Sequence, residues 1–325
     1  MFAPPVIQLL SGERLHLSHG PIDVVLRAWG TPQATREAAA AAWARFGAIL
    51  PELCDELPLL RTPMDALLRM GATPVARNVG REQGQTCPLQ GAVAQRMFRA
   101  CLPFADVFVT PMAAVAGAVA DELMACMIAA APITRAYVND GGDIAVRVPE
   151  GESLDIGVAG DFALADVPAL NGRLHLTPSL GIGGIATSGA RGRSFSLGIA
   201  DSVTILAADA ATADVAATLV ANAVTIESPA IIRRPARDLD PDSDLGHRPV
   251  TVSVGALAPA EVEAALSAGA TCAAGYRARG LIRDAALMLA GRTRVVGIHG
   301  LEVSHREDPL APIAQPQSAA AAIAP

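Results

Sequence analysis

The chain has 325 residues, of which 51% are apolar, and it carries a formal net charge of −7 at pH 7. A nucleic-acid surface needs clustered cations to neutralise phosphates, and no basic block extends beyond Arg233-Arg234, so the composition excludes nucleic acid as a partner. All 25 basic residues are arginine, which excludes a Walker A lysine and Schiff-base chemistry on a lysine.

The predicted elements of the first half mix strands and helices. Residues 14–28 read as two short strands around a Gly20-Pro21 turn. An Ala-rich helix follows, and then a segment interrupted by Gly and Pro that predicts a loop. In chain order, the sequence predicts a helix over 33–53, a loop over 70–88, a helix over 89–101, a buried strand over 105–109 and a long helix that Pro111 opens.

The second half begins with short strands separated by glycines. These strands are predicted at 134–139, 143–148, 153–159, 173–177 and 202–207. After them the sequence predicts a helix over 209–223 with Asp209 as N-cap, a loop over 228–248, a strand over 249–254, a helix over 259–279 and a hairpin around Gly291-Arg292. Because strands and helices occur in groups, the predicted class is α+β.

The chain is expected to form one domain over 1–303, with a disordered tail over 304–325, and to lie in the cytoplasm. Its N-terminus lacks the cationic start and apolar stretch of a signal peptide, and five cysteines without a CxxC pair fit a reducing compartment. Residues 111–131 approach a membrane span in composition, but Asp121 and Glu122 lie in the middle. We therefore predict a buried helix there and no membrane partner.

The first segment that could form a binding or catalytic site is Asn139-Asp140-Gly141-Gly142-Asp143, between two predicted strands. Adjacent glycines let the backbone approach a ligand closely, and a turn of amides can hold an anion. The same residues are also the favoured ones for an ordinary hairpin turn. The sequence leaves both interpretations open.

The second segment runs Gly183-Gly184-Ile185-Ala186-Thr187-Ser188-Gly189 and continues to Arg191 and Arg193. Backbone amides, two hydroxyls and two guanidinium groups would together suit a phosphate, provided that an extended backbone places both arginines on one side. The alternative is an ordinary loop with solvated arginines.

The third segment is Asp214 to Thr218, inside an otherwise apolar helix. Positions i and i+4 share a helix face, so the carboxylate and the hydroxyl project together and could hold magnesium, which prefers hard oxygen ligands. The alternative is that Thr218 bonds back to the carbonyl of residue 214 and that Asp214 is favoured there by the helix macrodipole.

The order of these segments resembles the ApbE superfamily of FAD:protein FMN transferases. The matching pieces are N-x-G-G-D at 139–143, A-T-S-G at 186–189, Ser202-Val203-Thr204, and Ala213-Asp214 with Thr218. Upstream, the segment from Val115 to Asp121 is similar to that family's A-K-G-x-x-x-D motif. The likeness covers roughly 105–225, and although each motif alone is weak, the ordered set is fairly specific.

The resemblance implies an α+β fold with an antiparallel sheet and packed helices around a central cleft that holds FAD or FMN with magnesium. Asp214, Thr218 and the backbone carbonyl near Val115 would be the metal ligands. The nucleotide would lie against Asn139, Gly141, Gly142, Asp143, Ala186, Thr187, Ser188, Gly189, Arg191 and Arg193. Passing FMN to a hydroxyl of an acceptor protein would be the reaction, with Asp214 among the catalytic residues.

Two departures from the family pattern concern catalysis. Ala116 replaces the motif lysine, and the H-x-x-D-P-x-T-G segment between A-T-S-G and S-V-T is missing, so only Asp201 could act as its catalytic stand-in. Loss of a cation and of an acid/base group would each slow phosphoryl transfer by orders of magnitude. Two alternatives follow: an enzyme on the same scaffold that acts on a small carboxylate or phosphate metabolite, or a non-catalytic flavin-binding module. We expect a homo-oligomer in each case.

Overall fold

A computed structural model describes residues 3–71, 87–161, 169–192, 194–297 and 301–303. Its strands are β1 Val6–Leu10, β2 Arg14–His19, β3 Ile22–Trp29, β4 Arg135–Asp140, β5 Asp143–Arg147, β6 Leu154–Asp161, β7 Ala169–Leu176, β8 Gly184–Ser188, β9 Ser202–Ala207, β10 Ile231–Pro235, β11 Pro249–Val254, β12 Asp284–Leu289, β13 Arg292–Val296 and β14 Leu301–Val303. Its α-helices are α1 Pro32–Asp55, α2 Leu57–Leu60, α3 Met64–Gly71, α4 Ala92–Cys101, α5 Val115–Ala130, α6 Ala210–Ala223, α7 Ala236–Leu239 and α8 Pro259–Ala278.

The main sheet has nine strands in the order β1-β2-β3-β4-β5-β8-β9-β12-β13. Each neighbouring pair in it is antiparallel. Helices α1, α4, α5, α6 and α8 contribute to one large aliphatic core, and a second, smaller apolar cluster joins β5 to β6 and β7. The predicted class, α+β with an antiparallel sheet and packed helices, is confirmed.

Burial explains the sequence patterns of the strands. In β3 the side chains of Val24 and Leu26 are buried while Asp23 is exposed, as expected for a strand with one face on the core. Strand β9 is different, because all six of its residues are buried. A strand covered on both faces buries every side chain, and here that includes the polar Ser202 and Thr204.

Helices α5 and α6 lie unusually close together, and a glycine makes this possible. A Cβ atom built on Gly117 would lie 2.3 Å from the carbonyl oxygen of Ala210, far inside van der Waals contact. This close approach places the N-terminal turn of each helix beside the other helix. The contacts of Asp121 and Asp214 described below depend on that placement.

Most predicted elements are confirmed to within a few residues, including the helix with Asp209 as N-cap, whose carboxylate accepts from the Thr212 amide at 2.7 Å. The predicted strand over 105–109 is wrong: the segment forms a turn and an irregular stretch that does not pair with another described strand. The 183–189 segment, for which an ordinary loop was the alternative to phosphate binding, contains β8, and the loop predicted over 228–248 contains β10 and α7. Strand β1 was not predicted. Most of the predicted 70–88 loop and the 304–325 tail lie outside the described residues.

The apolar segment predicted as a buried helix forms a short 3₁₀ turn at Pro111–Ala114 and then α5. By length and composition, Pro111–Ala130 could cross a membrane. Half of its apolar window is buried within the protein, where α5 packs against α1, α4 and α6.

Candidate functional site

A cavity of about 400 Å³ opens beside the N-terminal turn of α5. Its walls come from that turn, from α6, from the β4–β5 turn and from two loops, 194–197 and 240–245. Sites for small molecules and cofactors typically measure about 300–1,000 Å³, so this volume suits a ligand or part of a larger one.

Asp214 and Thr218 both line this cavity, and both are half-buried. They lie four positions apart on α6, so the helix projects their oxygens in the same direction, as the sequence predicts. Val115, the third predicted metal ligand, lines the cavity as well. The three predicted magnesium ligands are therefore brought together.

The Asp214 carboxylate is held by the start of α5. Its Oδ2 accepts a hydrogen bond from the Gly117 amide at 3.1 Å, and the backbone of Ala116 is a further donor. Burial raises the pKa of Asp214 well above its usual range, and the charge of Asp143 raises it further. The amides act in the opposite direction. Burial and the neighbouring carboxylate thus both favour the protonated form of Asp214.

A second carboxylate makes the matching contact from the other helix. Asp121 of α5 accepts from the amides of Ala210 and Ala211, at 3.1 and 2.9 Å, where α6 begins. Burial raises the pKa of Asp121 to about 6, although these amide bonds act to lower it. Each helix thus satisfies backbone donors at the start of the other, which fixes Asp214 in position.

The β4–β5 turn contributes one side chain to the cavity, Asp143. The turn itself is built by Asn139, whose Oδ1 accepts from the Gly142 amide at 2.8 Å, and by the positive φ angles of Gly141 and Gly142. The hairpin interpretation and the binding interpretation of this segment are therefore compatible. Asn139, Gly141 and Gly142 shape the turn, and the charge of Asp143 raises the pKa of Asp214.

The 186–189 segment contacts the site only indirectly. Its residues form the end of β8 and the residue that follows, and these described residues are not part of the cavity lining. The Thr187 amide donates to Asp143 at 3.3 Å, while the Thr187 hydroxyl pairs with that of Thr204. The predicted nucleotide contacts of Ala186, Thr187, Ser188 and Gly189 stay predictions. Ser194, Phe195 and Leu197, slightly further along, do line the cavity.

Arg191 and Asp201 form an ion pair at 2.9 Å, and neither lines the cavity. The other carboxylate oxygen of Asp201 accepts from the Ala290 amide at 2.6 Å. These contacts hold the chain between β8 and β9 against the β12–β13 turn. Asp201 therefore has a structural role in these contacts. Its predicted catalytic role stays a prediction, and its position away from the cavity does not support it. Arg193 lies outside the described residues.

Two parts of the lining were not predicted from the sequence. Asp240, Asp242 and Asp244 belong to a loop that was expected only as a connection, and Asp244 accepts a hydrogen bond from the buried Thr110 hydroxyl. Arg61, which follows α2, lines the cavity too. The run Asp-Leu-Asp-Pro-Asp-Ser-Asp at 238–244 was the available signal for the loop.

The cavity lining is strongly acidic, with five carboxylates against one guanidinium group in the described part of the chain. Within that same part, no group of three or more His, Cys, Asp and Glu side chains is arranged to hold a metal ion by itself. Magnesium needs no such group, because it usually keeps several waters and takes one or two carboxylates plus substrate phosphates. The donors present fit that pattern.

A family model described as AbpE bacteria matches residues 7–295. A UPF0280 protein of Methanopyrus kandleri is 37% identical over 143 residues, which are 43% of this chain and 54% of that relative. A UPF0280 protein of Methanothrix thermoacetophila is 39% identical over 128 residues, 39% of this chain and 51% of the relative. The matched part thus spans about half the length of these curated relatives.

Among solved structures, the chain is similar to the crystal structure of the ApbE protein of Thermotoga maritima, at 14% sequence identity. The match covers 68% of this chain and 87% of that one, with a TM-score of 0.30.

Proposed function

Because this chain belongs to the family described as AbpE bacteria, we propose that its cavity binds the diphosphate of FAD together with magnesium. FMN transfer to a hydroxyl of a partner protein is the reaction that this arrangement would serve. The observation that carries the proposal is that Asp143, Asp214 and Thr218 line one cavity, where the charge of Asp143 acts on Asp214. A carboxylate-rich wall repels a diphosphate unless a divalent cation lies between them.

The residues present fit magnesium by the chemistry of their donors. Asp214 and Thr218 offer a carboxylate and a hydroxyl from one face of α6, and Asp143 offers a second carboxylate. These residues would hold magnesium beside the diphosphate, where the ion would supply positive charge to stabilise the phosphoryl group. Holding Asp214 on the α5 amides pre-orients it for this role, since its position is fixed before any ligand enters.

An aromatic surface for the flavin ring is also present. Phe195 lines the cavity and is 38% exposed, so part of the residue is accessible. Phe108 lines the cavity as well, but Arg248 already covers it, with its guanidinium carbon 3.1 Å from the ring centroid. Offset stacking of a flavin on Phe195 would bury apolar surface that is otherwise exposed.

Transfer would break the bond between the FMN phosphorus and the bridging oxygen and release AMP, while the acceptor hydroxyl oxygen bonds to phosphorus. The hydroxyl proton would pass to a carboxylate, and the carboxylates on the lining are Asp143, Asp214 and those of the 240–244 loop. Histidines do not line the described part of the cavity, and Ala116 brings no cation. We therefore expect transfer to be slow. That observation favours a second candidate function, flavin binding without transfer.

The test is equilibrium binding of FAD, followed by flavin fluorescence with and without magnesium. Thr218→Val removes a cavity hydroxyl, and Thr212→Val is its control, because Thr212 is on the same helix but does not line the cavity. We expect magnesium to tighten FAD binding to the wild type and to the control and to have a much weaker effect on Thr218→Val. Failure of the wild type to bind FAD or FMN at micromolar concentrations would contradict the proposal. AMP release in the presence of an acceptor protein separates the transferase from the flavin carrier.

A further inference from the structure

Arg61 is the single cationic side chain on the cavity lining within the described residues. It follows the short helix α2, and its backbone amide donates to the Leu57 carbonyl at 3.0 Å. The preceding Leu60 is completely buried. The main chain at Arg61 is therefore fixed by the core, while its half-exposed side chain reaches the cavity.

Arg61 makes no ion pair with the described residues, although five carboxylates share its cavity. Arg45 and Arg96 are different, since both pair with Glu122. A free guanidinium facing an acidic cavity is unusual, because the charges attract and the donors are rigidly preorganised for oxygen acceptors.

Four of the five carboxylates of the cavity already have other donors. Asp214 accepts from Gly117, and Asp143 accepts from Thr187. In the acidic loop, Asp244 accepts from Thr110 and Asp240 accepts from the amide of Asp242. The guanidinium of Arg61 therefore retains hydrogen-bond donors for a ligand, and the matching ligand group is an anion with at least two oxygens.

We propose that Arg61 directly binds one phosphate of a diphosphate ligand whose other phosphate is held through magnesium at Asp143, Asp214 and Thr218. The inference rests on the proposed function and adds a specificity to it. A ligand with two linked phosphates engages both charged parts of the cavity, whereas a monophosphate engages one. Ala116 lines the same cavity and supplies no charge, so Arg61 carries the positive charge of the lining alone among the described residues.

The experiment compares FAD with FMN, each titrated with magnesium present, on the full chain and on Arg61→Ala. A lost charge-assisted bidentate contact corresponds to roughly a 10- to 100-fold weaker Kd. We expect that loss for FAD and a change of less than about 3-fold for FMN, whose single phosphate is held at the metal. Arg234→Ala is the control, since Arg234 is exposed, lies outside the cavity and makes no ion pair with the described residues. Unaltered FAD binding by Arg61→Ala would overturn the inference, as would equal losses for FAD and FMN.

A second variant keeps the result independent of folding defects. Ala116→Lys in the Arg61→Ala background returns a cation to the same cavity, so FAD affinity should recover in part. Recovery of FAD affinity would show that the lost charge caused the weaker binding. If affinity does not recover although the variants unfold at the same temperature as the wild type, the result counts against the inference. If the wild type binds no flavin, the proposed function fails, and magnesium with inorganic pyrophosphate becomes the probe. Thermal stabilisation of the wild type but not of Arg61→Ala would then uphold the role of Arg61, and equal responses would overturn it.

Discussion

Asp121 and Asp214 lie on neighbouring helices, and each accepts hydrogen bonds from backbone amides at the start of the helix that carries the other. Asp121 binds the amides of Ala210 and Ala211, and Asp214 binds that of Gly117. Each helix start presents amide donors without partners inside the helix, and these side-chain oxygens accept their hydrogen bonds. The paired contact couples the integrity of the cavity wall to the packing of α5 on α6.

Stability is expected to rise as pH falls below neutrality because of Asp121. Its pKa is raised from the ordinary value of 3.8 to about 6, since burial outweighs the amide bonds, with Asp209 adding to the rise and Arg96 opposing it. A carboxyl with a raised pKa binds its proton more tightly in the folded state. Its stabilising contribution is therefore complete below pH 3.8 and is lost as pH rises through about 6.

The measurement compares the free energy of unfolding in urea of the wild type and of Asp121→Asn, which cannot titrate. Between pH 7.5 and 5 the difference should shift by about 1.5 kcal/mol in favour of the wild type. Groups that titrate in both proteins cancel in this comparison. A difference that stays constant over this range would show that Asp121 keeps its ordinary pKa.

Gly117→Ala is expected to be strongly destabilising. The added methyl would lie 2.3 Å from the Ala210 carbonyl oxygen, which is backbone and can move only if α6 moves. Overpacking of this kind costs roughly 1–3 kcal/mol, and it would also draw the Gly117 amide away from Asp214. Urea denaturation measures the cost. Gly275→Ala in α8 is the control: its new methyl would have nothing within 4 Å, so a gain of about 0.5–1 kcal/mol is expected. Equal effects of the two substitutions would refute the close approach of α5 and α6.

Glu122 is expected to contribute far more to stability than an exposed ion-paired glutamate. It is 8% exposed, and its two oxygens accept from Arg45 and Arg96, both at 2.9 Å. These contacts lower the pKa of Glu122 in spite of its burial. Since both partly buried arginines would lose a charged partner, Glu122→Gln should cost about 3 kcal/mol of unfolding free energy.

The matched substitution for that experiment is Glu13→Gln. The Glu13 side chain is 86% exposed and pairs with Arg27 at 3.3 Å, so its loss should cost less than about 1 kcal/mol. Both variants keep the size of the side chain and remove the charge. If chemical denaturation gave similar losses for both, the contacts that join α1, α4 and α5 through Glu122 would contribute little.

Local patterns in the sequence were sufficient for much of the fold. Alternating apolar residues and the glycines between them predicted β4, β5, β9 and β11, and Asp209 as an N-cap predicted the start of α6. They failed where pairing with distant residues decides the outcome. The glycines at 183–184 suggested a loop, but they lie in and beside β8 because α6 passes too close for any side chain: a Cβ on Gly184 would lie 2.1 Å from the Asp209 carbonyl carbon.

The candidate site was predictable only in part for the same reason. The i, i+4 spacing of Asp214 and Thr218 is a local relationship, and the structure brings both to the cavity. The contributions of Arg61 and Asp244 depend on segments more than 180 positions apart in the chain, which no local pattern can bring together. Asp201 is the opposite case. Its position in the sequence suggested a catalytic role, but its side chain contacts Arg191 and the Ala290 amide.

The most direct test of this account is a crystal structure of the chain with FAD and Mn²⁺, whose anomalous scattering locates the metal in place of magnesium. We expect a metal peak about 2.1 Å from oxygens of Asp214 and Thr218, as hard octahedral cations require, with the diphosphate in the cavity between that metal and Arg61. A flavin bound elsewhere, or a cavity that stays without metal and diphosphate at saturating concentrations of both, would contradict it.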